Sequence, residues 1–136
     1  VTQPKIISFY EELWLVRNAD RQQWNHVTNA FGCSYQLFDS VGFVWDDATH
    51  NPDGWPVYVF DETGTQTLLT PTPFIHPTEA IYVFGVTGMD ITQVVPPASR
   101  ADIVQIDTPA DVPLWGCEAA AIALAHRYLQ SLSNGG

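Results

Sequence analysis

The chain has 136 residues, 46% of them hydrophobic, which suits one domain with an ordinary core and leaves no room for a second. Fifteen acidic residues against five basic ones give a formal net charge of −10, a balance that keeps a chain soluble and repels phosphate backbones at long range, so no DNA partner is expected. No apolar run approaches the roughly 20 residues needed to span a bilayer, and no charged segment followed by an apolar stretch opens the sequence, so a cytoplasmic protein without membrane contact is expected.

The hydrophobic pattern alternates between strand and helix. Lys5 to Tyr10 reads as a strand, and Asp20 to Phe31 as a helix with Asp20 as N-cap and Gly32 as the glycine just past its end. Ser34 to Phe38 is the second strand. The stretch from Asp46 to Gly54 holds too many Asp, Asn, Pro and Gly residues to be regular. Pro56 to Phe60 is the third strand. Thr63 to Glu79 carries no clear element beyond a short helical turn at Thr67 to Leu69. Ala80 to Phe84 and Ala101 to Ile106 are nearly continuous apolar runs, the pattern of strands covered on both faces. A helix from Leu114 to about Leu132 closes the domain. Five strands separated by helical or long crossover segments predict an α/β fold with a mostly parallel sheet flanked by helices.

The candidate binding region lies in the last third. A strand ending in Phe84-Gly85-Val86-Thr87-Gly88-Met89 is followed by a second strand, a proline-marked loop from Thr108 to Pro113, and the alanine-rich helix. A glycine turn after one strand and a tight loop before a helix can together line a pocket with backbone groups. Asp107 and Asp111 beside that loop can hydrogen-bond a ribose or an amino group, or cap the following helix. Cys33 and Cys117 have no CxxC spacing and read as buried thiols. His50, His76 and His126 are scattered without metal-ligand spacing, and no nucleophile elbow, phosphate loop or dinucleotide fingerprint is present. Trp14, Trp24, Trp45, Trp55 and Trp115 are spread over several elements, which favours packing over a base-stacking platform.

In order and spacing these blocks resemble the SPOUT class of RNA methyltransferases, in particular its SpoU-type branch of ribose 2′-O-methyltransferases. His26-Val27-Thr28-Asn29-Ala30-Phe31-Gly32 is similar to the first family motif, a helix closed by Phe-Gly. Ile81-Tyr82-Val83-Phe84-Gly85-Val86-Thr87-Gly88-Met89 is similar to the second, and Val104 to Leu124 to the third. Gly42-Phe43-Val44-Trp45-Asp46-Asp47 resembles a stretch after the second strand of the small transfer-RNA members. The resemblance implies a C-terminal trefoil knot, a homodimer, S-adenosylmethionine as cofactor, and tRNA or rRNA as substrate, the last in tension with the net charge of −10. The alanines of the last helix, Ala119, Ala120, Ala121, Ala123 and Ala125, provide the small surface that threading or dimer packing needs.

The same resemblance implies the site residues. The family's cofactor contacts fall on Phe84, Gly85, Gly88, Ile106, Pro109, Leu114 and Trp115, mostly through backbone groups, with the Trp115 indole either stacking on adenine or filling space. Its catalytic arginine falls at His26, its second-motif acid at Thr87, and its third-motif Ser and Asn at Pro113 and Trp115. All four polar positions differ from the family pattern. An imidazole lacks the permanent charge and donor fork of arginine, but it can itself take the proton that a ribose hydroxyl must lose. Two readings follow: an RNA ribose 2′-O-methyltransferase with a divergent catalytic set around His26, or a catalytically inactive knotted dimer that keeps only a binding function.

Overall fold

A computed structural model describes residues 3–10, 18–69, 74–85, 90–110 and 114–133. Six strands form one sheet: β1 (Lys5–Tyr10), β2 (Tyr35–Asp39), β3 (Val57–Phe60), β4 (Gln66–Thr67), β5 (Ile81–Phe84) and β6 (Asp102–Gln105). Their order is β2-β1-β5-β3-β6-β4, and every pairing is parallel. The sequence predicts five strands; the sixth, β4, occupies the outer edge beside β6. Thr67, expected in a helical turn, pairs with Gln105 there, and Leu68 donates its amide to the Gln105 carbonyl (2.8 Å). A two-residue strand is too short to show a period, so ladder bonds and the burial of Leu68 decide its conformation.

Side chains along a strand alternate between faces, and here both faces are buried. Ile6 of β1, Phe60 of β3, Tyr82 and Phe84 of β5 and Val104 of β6 join one core layer, which α1 (Asn18–Ala30) and α4 (Gly116–Ser133) cover through Trp24, Ala120, Ala123 and Leu124. Their neighbours Ile7, Phe9, Val57, Val59, Ile81 and Val83 face the other layer. Trp45, before the one-turn helix α2 (Asp47–His50), and Ile91 of α3 (Ile91–Val94) close that layer. Of the two apolar runs predicted as strands buried on both sides, β5 is fully buried in the middle of the sheet, whereas β6, one strand from the edge, buries only Val104 completely.

Local signals set the helix ends. Gly32 has φ 69°, and the Gly32 and Cys33 amides donate to the Asn29 and Thr28 carbonyls at 3.2 and 2.8 Å. This double bond pattern closes α1 through a left-handed residue, where glycine carries no Cβ penalty. Asp20, expected as N-cap, lies inside the helix, which already includes Asn18. The turn-rich stretch from Asp46 is also more regular than expected: the Thr49 and His50 amides return to the Asp46 carbonyl, which forms α2. Asp90 caps α3 by accepting from the Thr92 amide, and Arg100 ties down its far end through the Thr92 and Val95 carbonyls, both at 2.7 Å.

Candidate functional site

In a parallel sheet all strands end at one edge, and ligands of open α/β folds bind outside that edge. β5 ends there at Phe84, followed by Gly85, and β6 ends at Gln105, followed by Ile106. With β3 between them, the two ends are two strand spacings apart, about 9.6 Å. α4 begins at the same edge. A Cβ at Gly116, its first residue, would lie 2.8 Å from the Gly85 carbonyl oxygen, 3.3 Å from Cζ2 of Trp24 and 3.8 Å from Cβ of Phe84. The start of the helix therefore rests directly on Gly85, the residue after β5. A Cβ at Gly85 would in turn lie 3.1 Å from that of Ile91, so α3 closes the other side.

These contacts bring Phe84, Gly85, Leu114 and Trp115 to one place at the sheet edge. Phe84 is buried, and its carbonyl accepts from the buried Ser8 hydroxyl at 3.0 Å. Ile106 is half-buried against the α1/α4 core layer, and Pro109 is exposed in a turn of the β6–α4 loop. Trp115 is 74% exposed, so its indole is not used to fill the core and is presented to solvent, one residue before the Gly116–Gly85 contact. Gly88, with Thr87, Asp111 and Pro113, lies outside the described residues.

The start of the last helix differs from the sequence reading. The helix begins at Gly116, two residues after Leu114, and its cap is a carboxylate from within the first turn: Glu118 Oε1 accepts from the Trp115 amide at 2.9 Å. This is the return half of a capping box, and it places negative charge at the positive end of the helix. Asp107, after β6, accepts from the Leu69 amide at 3.2 Å. Gly116 was not singled out in the sequence, because only the three-dimensional approach of Gly85 gives it a role.

His26 lies elsewhere on the surface. It is exposed on α1, two residues from Trp24 and hence about 200° round the helix from the ring that touches the Gly116 region. Within one chain, His26 and the Gly85–Gly116 contact are not brought together.

The other histidines have separate settings. His50 packs among the rings of Phe38, Phe43 and Trp45, with centroids 4.9 to 5.3 Å away. His76 and His126, 50 residues apart, meet at 2.8 Å between His76 Nε2 and His126 Nδ1. His76 Nδ1 lies 2.5 Å from the hydroxyl of the wholly buried Tyr82. Burial, with His126 and the Arg127 charge adding to it, pushes His76 down to about 3, and burial lowers His126 as well, so both are neutral near pH 7. Cys33 is a buried thiol pushed up to about 11 by burial, which makes it a poor nucleophile. Among the described residues no three metal-ligating side chains gather, and no helix is long and apolar enough to cross a membrane.

The sequence matches no protein-family model and no curated protein. Solved structures do match. One is a protein whose structure gives insight into the 2-OH methylation of C/U34 on tRNA, with a TM-score of 0.69 and 14% identity over 95% of this chain and 91% of that one. Another is a candidate RNA methyltransferase from Bacillus anthracis, with a TM-score of 0.63 and 13% identity over 98% of this chain and 97% of that one. The chain has the fold of these two proteins. Both are named for RNA methylation, the chemistry that the motif resemblance implies.

Proposed function

We propose that the chain is an S-adenosylmethionine-dependent ribose 2′-O-methyltransferase acting on tRNA or rRNA, working as a one-domain homodimer of the SpoU-type SPOUT class. The observation that carries this reading is the seat of Gly116 on the Gly85 carbonyl at the carboxyl edge of the sheet, in a fold shared over 95% of the chain with a protein of RNA methylation. The groups present suit the cofactor. A crossing too close for any side chain brings the backbones of Gly85 and Gly116 together at the sheet edge, and the exposed Trp115 indole offers a flat surface for an adenine ring. When bound, S-adenosylmethionine supplies a transferable methyl on its sulfonium.

Phe84, Gly85, Gly88, Ile106, Pro109, Leu114 and Trp115 hold and orient the cofactor, and His26 accepts the proton of the attacking ribose hydroxyl. Because His26 faces away from its own chain's Gly85–Gly116 contact, it serves the site of a second copy. The homodimer is supported by α4, where Tyr128, Leu129 and Leu132 are 55%, 61% and 57% exposed within little more than one turn. A C-terminal knot belongs to the same reading. Both cysteines are thiols, in keeping with a reducing cytoplasm. The RNA meets few cations: Lys5 is paired with Asp53 at 2.6 Å, and Arg100 and Arg127 are engaged by carbonyls.

Transfer of labelled methyl groups from S-adenosylmethionine to total tRNA and rRNA tests the activity. Transfer to ribose is expected, and His26→Ala should lower its rate by about 100-fold or more with cofactor affinity kept. Unchanged turnover would remove His26 from the mechanism. Absence of transfer to any RNA from a folded, cofactor-binding protein would favour the inactive binding module.

A further inference from the structure

The two strand ends at the candidate cofactor site, Gly85 after β5 and Ile106 after β6, leave one further end between them, that of β3. Phe60, its last residue, stands level with Phe84 of β5 and with Val104 of β6. Asp61 therefore follows at the level of Gly85, one strand spacing away, about 4.8 Å. Its amide donates to the Val104 carbonyl at 3.0 Å, so the ladder to β6 continues through it. The residue at the middle of the carboxyl edge, between the two loops, is thus a half-buried aspartate.

The turn that carries Asp61 is fixed at several points. The Asp61 carbonyl accepts from the Gly64 amide at 3.1 Å. A Cβ at Gly64 would lie 2.7 Å from the Gln105 nitrogen and 2.8 Å from the Ile103 oxygen, so the turn rests on the backbone of β6 with no room for a side chain. The carboxylate is held as well: its Oδ2 accepts from the Thr63 amide at 3.0 Å and from the Thr63 hydroxyl at 2.5 Å. No described residue donates to Oδ1. An ionised carboxylate accepts at both oxygens, so here one oxygen fixes the side chain and the other is left for donors from outside.

We propose that Asp61 Oδ1 accepts hydrogen bonds from the ribose hydroxyls of the bound S-adenosyl cofactor. The inference rests on the cofactor reading above and adds what its other residues lack, since Phe84, Gly85, Ile106, Leu114 and Trp115 carry no anionic side chain. An adenine ring on Trp115 stands beside the Gly116–Gly85 contact, and the ribose, the next ring of the nucleoside, then reaches across toward the end of β3. A carboxylate suits a vicinal diol because it accepts and never donates, and carboxylates take ribose hydroxyls in the same way in dinucleotide-binding α/β sheets. The ammonium at the amino-acid end of the cofactor is the competing donor, and the choice of ligands separates the two.

The test is calorimetric titration with S-adenosylhomocysteine and with its 2′,3′-dideoxy analogue, on the wild type and on Asp61→Asn. Asparagine keeps both turn bonds, because its oxygen accepts from Thr63, and sets its NH2 in the place of Oδ1, a donor facing donors. The wild type should bind S-adenosylhomocysteine at least tenfold more tightly than the analogue. D61N should bind both ligands equally, at least tenfold more weakly than the wild type binds S-adenosylhomocysteine, with its urea midpoint unchanged. Equal affinity of the wild type for the two ligands, or a D61N protein that keeps the wild-type ratio, would overturn the contact and leave the cofactor reading standing. A folded wild type that binds neither ligand would overturn both. Should D61N not fold, the wild-type pair decides: a preference below tenfold contradicts the contact.

Discussion

Alanine in place of Gly116 sets two effects against each other. Within a helix, alanine is favoured over glycine by up to about 1 kcal/mol. Here its Cβ would stand 2.8 Å from the Gly85 carbonyl oxygen, a backbone atom at the end of a central strand that cannot move aside cheaply. The contact outweighs the propensity, and Gly116→Ala should lower stability by about 1–3 kcal/mol, the usual range for overpacking. Urea unfolding measures this, and a more stable variant would mean that the helix start does not rest on Gly85. The residue scale also marks what the sequence could not show. Phe84, Gly85 and Trp115 were legible because a strand, a glycine and a helix follow in order. The Tyr82–His76–His126 row was not, because its members carry no common spacing and only the fold joins positions 50 residues apart.

At the scale of elements, long apolar runs were read well and short ones poorly. β1, β3 and β5 stand out since each is buried on both faces, β6 because its apolar Ile103 and Val104 pack on opposite faces, and α1 and α4 because their stops and apolar positions agree. β4 and α2, of two and four residues, are shorter than any periodic window and exist through particular bonds, the Leu68 amide to Gln105 and the His50 amide to Asp46. The order of strands was likewise not legible, since periodicity tells which faces are buried and not which strands are neighbours. Acid should act on the junction of α4 with residues 74–78. His76 and His126 are depressed in the folded chain, so below about pH 6.5 the unfolded chain binds the extra protons first. Stability is full above that pH and falls toward about pH 3, and His76 alone removes up to about 2 kcal/mol at pH 5. Urea midpoints at pH 7.5 and 5.0 measure this, and a His76→Gln variant should lose most of the difference. A fall of the same size in that variant would assign the acid sensitivity to other groups.

For the whole molecule, the net charge of −10 and the apolar face of α4 act together. Two copies of this charge repel at long range, so the proposed homodimer would have to draw on apolar burial at Tyr128, Leu129 and Leu132 and should strengthen with salt as the repulsion is screened. Sedimentation of the wild type should give a dimer, and Leu129→Glu with Leu132→Glu should give a folded monomer with an unchanged circular dichroism spectrum. A wild-type monomer at all concentrations, or a dimer that survives both substitutions, would remove this face from the assembly. Calorimetric titration of the wild type and of Gly85→Val with S-adenosylmethionine and with S-adenosylhomocysteine tests the proposed cofactor site at the sheet edge. The account predicts micromolar binding to the wild type, about −8 kcal/mol, and at least a tenfold weaker affinity once a side chain enters the Gly85 turn. A folded wild type that gives no heat at millimolar ligand, or a Gly85→Val protein that binds equally well, would contradict it.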